Sequence, residues 1–165
     1  MKVLLILRHA KSSWKEPYRS DHDRDLNRRG KEDAPLMGKL IDREDLIPDL
    51  IITSSAVRAH KTAKAVARSS GFNGKILETG ALYGAGTGTF LEILRELSDD
   101  YKRVMVVGHN PGMEELLEDL TGSYERLATA TLAYVSLPVD SWADLTLGVE
   151  GKLVSCWRPK ELDAY

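Results

Sequence analysis

Cysteine is almost missing from this chain. Cys156 is the only one among 165 residues, which excludes a disulfide framework and any paired-cysteine metal knuckle. Its neighbours Leu153, Val154 and Trp157 mark it as a small buried hydrophobe. Long apolar runs are missing too. Val3–Leu7, which follows Met1 and Lys2, is too short for a signal h-region or a membrane span, so the expected compartment is the cytoplasm. No single sign of charge dominates: 23 Lys and Arg stand against 25 Asp and Glu, a formal net charge of −2. Neither nucleic acid nor a membrane is therefore an expected partner, and any bound anion must be held by local arginines. There is no internal repeat, low-complexity tract or linker. With 42% hydrophobic and 29% charged residues, residues 1–165 read as a single globular domain.

The apolar runs that are present lie at Val3–Leu7, Leu50–Ile52, Ile76–Leu77, Val104–Val107, Leu132–Leu137 and Leu153–Trp157. The first and fourth are apolar at consecutive positions, the pattern of strands covered on both faces. Helical stretches separate them. Asn27 is placed to cap a helix reaching about Arg43, with Ala34, Met37, Leu40 and Ile41 at helical spacing; Pro35 inside it predicts a late start or a kink. Ser55–Ser70 is rich in Ala, Arg and Lys and stops at Gly71. Thr89–Leu97 puts Phe90, Ile93, Leu94 and Leu97 on one face, and Pro111 opens a helix that runs to Gly122. The order βαβαβαβαββ predicts a three-layer α/β/α sandwich. Its central sheet is mostly parallel, with an antiparallel strand at the C-terminal end.

Ligands of open α/β sheets bind outside the carboxyl ends of the strands. In "LLILRHAKSSW" a buried run ends abruptly in Arg8 and His9. Thr53, Ser54 and Ser55 follow the second strand, with Arg58 one turn into the next helix. Gly108, His109, Asn110 and Pro111 follow the fourth. Two arginines and two histidines thus reach one rim. They would repel one another unless an anion sat between them, and Arg forks match phosphate oxygens. Helix N-termini near Ser55 and Pro111 add oriented N–H groups. The residues point to a phosphate pocket, in which a histidine can act as nucleophile, acid or hydrogen-bond donor.

The segments "LRHAKSSW", "SSAVRAHKTA" and "GHNPGM" resemble the histidine phosphatase superfamily, and within it the small SixA-like phosphohistidine phosphatases, along nearly the whole chain. The Arg-His signature matches Arg8-His9, with Ala10 where larger relatives often carry Gly. The family's second arginine matches Arg58 and its second histidine His109. The resemblance implies a phosphoglycerate mutase-like fold and a ping-pong phosphoryl transfer. In it His9 attacks phosphorus, while Arg8, Arg58 and His109 hold the equatorial oxygens. Positioning and charge stabilisation are what phosphoryl transfer chiefly needs. Nearby guanidinium groups also lower the His9 pKa from about 6.5 and keep the nucleophile neutral.

One feature departs from the larger relatives, which carry a Glu general acid after the third strand. Here "TGALYGAGTG" puts Ala81 near that place, with Glu78 slightly upstream in the strand. Asp21, Asp23 and Asp25 in "YRSDHDRDLNRRG" remain, and Asp21 is the candidate acid on a loop that can fold over the rim. Ser12 and Ser13 are candidate phosphate-binding hydroxyls, and Trp14 a loop anchor. His22 and His60 read as surface or supporting residues. His9, His22, His60 and His109 lack close metal-ligand pairs, and the Gly84–Gly88 loop lacks the closing Lys of a P-loop, so no metal and no cofactor is expected. The expected activity is a metal-independent phosphatase acting on phosphohistidine of a protein, such as a phosphotransfer or phosphocarrier domain, with inorganic phosphate as product. The alternatives are a phosphomonoesterase for small phosphate esters and a weakly catalytic module that binds phosphorylated proteins.

Overall fold

A computed structural model describes residues 1–162. Six strands form one sheet: β1 (Lys2–Arg8), β2 (Leu50–Ser54), β3 (Lys75–Thr79), β4 (Arg103–Gly108), β5 (Leu132–Leu137) and β6 (Lys152–Trp157), in the order β3-β2-β4-β1-β5-β6. The first four are parallel. β5 pairs antiparallel with β1, and β6 antiparallel with β5. The reversed strand is therefore β5, and β6 turns back into the common direction. A two-strand hairpin needs no crossover, so it extends an edge that helices cannot.

Four helices cover the sheet: α1 (Arg28–Arg43), α2 (Val57–Ser70), α3 (Thr87–Arg95) and α4 (Gly112–Thr121). The strand alternation decides which face each side chain meets. Leu5, Leu7, Ile51, Met105 and Val107 pack with Ala34, Met37, Ile41, Ala63 and Val66 on the α1–α2 side. Leu4, Ile6, Ile52, Val104 and Val106 pack with Phe90, Leu94, Met113, Leu116 and Leu117 on the α3–α4 side. Leu4 through Leu7 are all 0% exposed, the burial that a consecutive apolar run requires. Each such side chain contributes roughly 1.5–3 kcal/mol of transfer free energy.

Several element ends differ from the sequence reading. α1 does not start late at Pro35 but spans Arg28–Arg43 with the proline inside it. Asn27 accepts a hydrogen bond from Gly30 N–H and the helix continues through the proline, because its buried stripe, Ala34 to Ile41, outweighs one missing N–H. α2 begins at Val57, two residues later than Ser55, because the Ser54 hydroxyl accepts from Ala56 N–H and holds the entry extended. Arg58 is thus the second helical residue, not one turn in. α3 spans Thr87–Arg95, two residues earlier than expected at each end. Gly71 and Gly122 end α2 and α4 in the left-handed conformation. Cys156 is half-buried rather than buried, because β6 is an edge strand. No helix among the described residues is long and apolar enough to cross a membrane.

Register brings the motif residues together. Arg8 pairs with Gly108 across β1 and β4, so the next residues on each strand, His9 and His109, lie side by side. Thr53 pairs with Val107, which sets Ser54 level with the same strand end. A Cβ at Gly112 would collide with the carbonyl oxygen of Ala85. Glycine there lets the N-terminus of α4 approach the loop that follows β3.

Candidate active site

The carboxyl ends of β1, β2 and β4 open into one cavity of about 290 Å³, lined by Arg8, His9, Ser12, Arg58, His109 and Asn110 among others. All four residues proposed for the chemistry, and Ser12, line it. Ser13 does not. Its hydroxyl accepts from Lys15 N–H, and it lines a larger cavity of about 590 Å³ beside α1. That cavity holds none of the four, so its size does not make it the reacting site.

His9 is 6% exposed. Its backbone N–H donates to Gly108 O at 3.0 Å, which ties β1 to β4 at the pocket floor. Its Nδ1 lies 2.7 Å from Ala10 O, an acceptor only, so Nδ1 carries the proton. Nε2 then holds a lone pair, and Arg58 Nε donates to it at 3.4 Å. The His9 pKa is pushed down to about 3, first by burial and then by His109, Arg58 and Arg8, against a raising contribution from the Ala10 carbonyl. The guanidinium groups invoked from sequence do act in the expected direction, but exclusion of water is the larger cause. Ala10 N–H donates to Thr62 Oγ1 at 3.0 Å, and Thr62 Oγ1 donates to Arg58 O at 2.7 Å. This buried hydroxyl fixes the end of β1 against the first turn of α2.

The His109 ring stands 5.1 Å from that of His9, with Nε2 2.8 Å from Ser54 Oγ. Because Ser54 Oγ already accepts from Ala56 N–H, its own proton is free for His109 Nε2. Nδ1 would then carry a proton, and this buried atom has no partner among the described residues. The His109 pKa is lowered to about 4 by burial and then by Arg58, so the ring is a neutral donor. Arg8 is held by Nη1 donating to Leu127 O at 3.0 Å, and its buried Nε has no partner among the described residues.

The loop before α1 does fold over the rim, as a short 3-10 turn at Asp21–Asp23. Arg58 Nη1 donates to Asp21 O at 2.6 Å and Nη2 to Asp21 Oδ2 at 3.0 Å. Tyr83 Oη donates to the same carboxylate oxygen. These contacts hold the Asp21 pKa down at about 2, the Tyr83 hydrogen bond first and Arg58 after it. Asp21 is therefore ionised, the form that accepts a proton rather than gives one. In this arrangement the carboxylate of the candidate general acid is engaged with Arg58 and Tyr83. Ala81 is exposed in the turn after β3, and Glu78 pairs with His60 Nδ1 at 3.4 Å.

Sequence reasoning missed Tyr83 and gave Ser54 no role. Tyr83 stands edge-on to His109 at 5.5 Å and to His22 at 5.1 Å, and His22 Nε2 lies 2.9 Å from Ser55 Oγ. The available signal was its place two residues after Ala81, beyond a strand's carboxyl end. Arg24 and Trp14, also on the cavity wall, had no comparable signal.

Residues 4–82 match the model of the histidine phosphatase superfamily (branch 1). An uncharacterized chloroplastic protein of Arabidopsis thaliana is 31% identical over 150 residues, 86% of this chain and 69% of that protein. The chain belongs to the histidine phosphatase superfamily. Within it, this phosphatase is SixA-like. It is similar to a protein assigned as the phosphohistidine phosphatase SixA of Agrobacterium tumefaciens, at 28% identity with a TM-score of 0.82 over 96% of this chain and 98% of that one. A SixA-assigned structure from Nakamurella multipartitia matches at 26% identity and a TM-score of 0.82, over 96% of both chains. As in these neighbours, the fold of this histidine phosphatase is phosphoglycerate mutase-like.

Proposed function

We propose that this histidine phosphatase removes the phosphoryl group from phosphohistidine on a protein, through a covalent intermediate on His9. The observation that carries the proposal is the state of His9: Nδ1 committed to Ala10 O, Nε2 unprotonated, and the pKa held near 3. Neutral and pointed, Nε2 is a nucleophile over the whole physiological range. Its lone pair forms a bond to phosphorus as the bond to the leaving nitrogen breaks. The leaving imidazole takes one proton from solvent and departs neutral. Water then attacks phosphorus, the P–Nε2 bond breaks, and phosphate leaves. Arg8, Arg58 and His109 Nδ1–H hold the equatorial oxygens, which carry the charge of the loose transition state.

Two further features support this substrate class. An alkoxide needs a proton in the transition state, and the Asp21 carboxylate at the rim is ionised. Imidazole is a far better leaving group, since its conjugate acid has a pKa of about 6.5. The cavity, at about 290 Å³, is at the lower bound for small-molecule sites, roughly 300 Å³. It has room for a phosphoryl group and one ring, so the rest of the substrate lies outside, as a protein does.

The test is a rapid quench into alkali, in which phosphohistidine survives, after mixing with a phosphohistidine-bearing phosphocarrier or phosphotransfer domain. Peptide mass mapping should find phosphate on His9, and His9→Ala should lose turnover with its circular dichroism intact. Label on any other residue, or turnover by His9→Ala, would sink the mechanism. A panel of metabolite phosphates ranked by kcat/KM beside the protein substrate decides between protein and small ester.

A further inference from the structure

Trp14 is 75% exposed, an unusual position for the largest side chain unless something covers it. It nevertheless lines the same cavity as His9. One face of its indole is taken: the Arg24 guanidinium carbon sits 3.5 Å from the ring centroid. Arg24 is well placed to hold it there. Its side chain is 11% exposed, its Nη2 lies 3.0 Å and its Nε 3.2 Å from Asp21 Oδ1, and its Nη1 is buried without a partner among the described residues. Asp21 in turn holds Arg58 through its other oxygen. One carboxylate thus links the arginine of the anion pocket to the arginine beneath the tryptophan. With Trp14 75% exposed, much of the rest of the indole is open to solvent.

We infer that Trp14, braced by Arg24, forms the leaving-group subsite of this enzyme and selects planar aromatic leaving groups by stacking on the indole. The inference rests on the reading of His9 as the nucleophile. In an in-line displacement the leaving group departs from the side of phosphorus opposite Nε2. His9 lies at the buried floor, so that side faces the mouth, where Trp14 stands. A ring held there gains an aromatic pair that an aliphatic group of equal size does not, worth roughly a factor of three to ten in affinity. Arg24 is a positioning residue: it presents the indole and keeps Asp21 on Arg58. Imidazole and aryl rings share this chemistry, and the substrates below separate them.

The first measurement needs no turnover. Benzylphosphonate and cyclohexylmethylphosphonate, similar in size and charge but unlike in planarity, are titrated calorimetrically into wild type, Trp14→Leu and Arg24→Gln, with inorganic phosphate as reference. Wild type should favour the benzyl compound by roughly threefold to tenfold, the preference should vanish in Trp14→Leu, and Arg24→Gln should fall between. Equal binding of the two by wild type, or an undiminished preference in Trp14→Leu, overturns the subsite while phosphate binding keeps the anion pocket. Failure of phosphate itself to bind removes the His9 reading and the subsite with it. In kinetics, an aryl phosphate and a fluoroalkyl phosphate matched in leaving-group pKa should differ in kcat/KM in wild type and converge in Trp14→Leu, with most of the change in KM. Phosphoimidazole and the aryl ester run in parallel; loss with both assigns the subsite to planar rings, and loss with neither overturns it.

Discussion

Burial of a neutral histidine at the pocket floor has a stability consequence whose sign and size follow from the structure. The folded state holds the His9 pKa near 3, against 6.5 for the free side chain. Below pH 6.5 the unfolded chain takes up a proton at this position and the folded chain does not. Stability changes with pH by 2.303RT times the protons bound unfolded minus those bound folded. The contribution is therefore complete above pH 6.5 and is lost as pH falls toward the folded value. One pKa unit is worth about 1.4 kcal/mol, so His9 alone removes about 1.4 kcal/mol by pH 5.5 and about 2.7 kcal/mol by pH 4.5. His109, with its pKa lowered to about 4, adds a loss of the same sign, smaller because the ring is only partly buried. Against a typical domain stability of about 5–15 kcal/mol these are large terms. The assay is urea unfolding at pH 7.5, 6.5, 5.5 and 4.5, on wild type and His9→Gln, in buffers free of phosphate because a bound anion would stabilise the folded state. His9→Gln should show a shallower dependence, by about 1.4 kcal/mol per pH unit between pH 6 and 4. Parallel curves for the two proteins would refute the claim that His9 is held neutral by its surroundings.

Three further outcomes are expected. Arg58→Ala should lose roughly 10²–10³ in kcat, the effect of removing one transition-state donor, and should weaken inhibition by phosphate and vanadate; unchanged values would place Arg58 outside the site. Asp21→Asn should leave the dependence of kcat/KM on leaving-group pKa parallel to that of wild type, because the carboxylate is ionised and has no proton to give; a steeper dependence in the variant would restore Asp21 as the acid. Thr62→Val should destabilise the fold by about 1–3 kcal/mol, since it strands the buried Ala10 N–H; a variant as stable as wild type would mean that this N–H finds another acceptor.

The sequence by itself determined the layers, the order of the strands' apolar runs and the rim where the chemistry gathers. Leu4–Leu7 and Val104–Val107 are apolar at every position, and a strand can be so only when helices cover both its faces. The gathering of Arg8, His9, Arg58 and His109 was legible because each ends a strand or follows one within a few residues, and strand ends converge whatever the details of packing. Tertiary structure decided everything that depends on contacts between segments distant in the chain. The tautomer of His9 follows from the turn of Ala10 and from Arg58, 49 positions away. Asp21, the candidate acid, meets Arg58 and Tyr83 because of where its loop lands, and no local pattern says where a loop lands. Trp14 and Arg24 reach the pocket for the same reason. Periodicity reads the elements because burial repeats along the chain; the protonation states and the outer wall of the pocket were set by which loops close over the sheet.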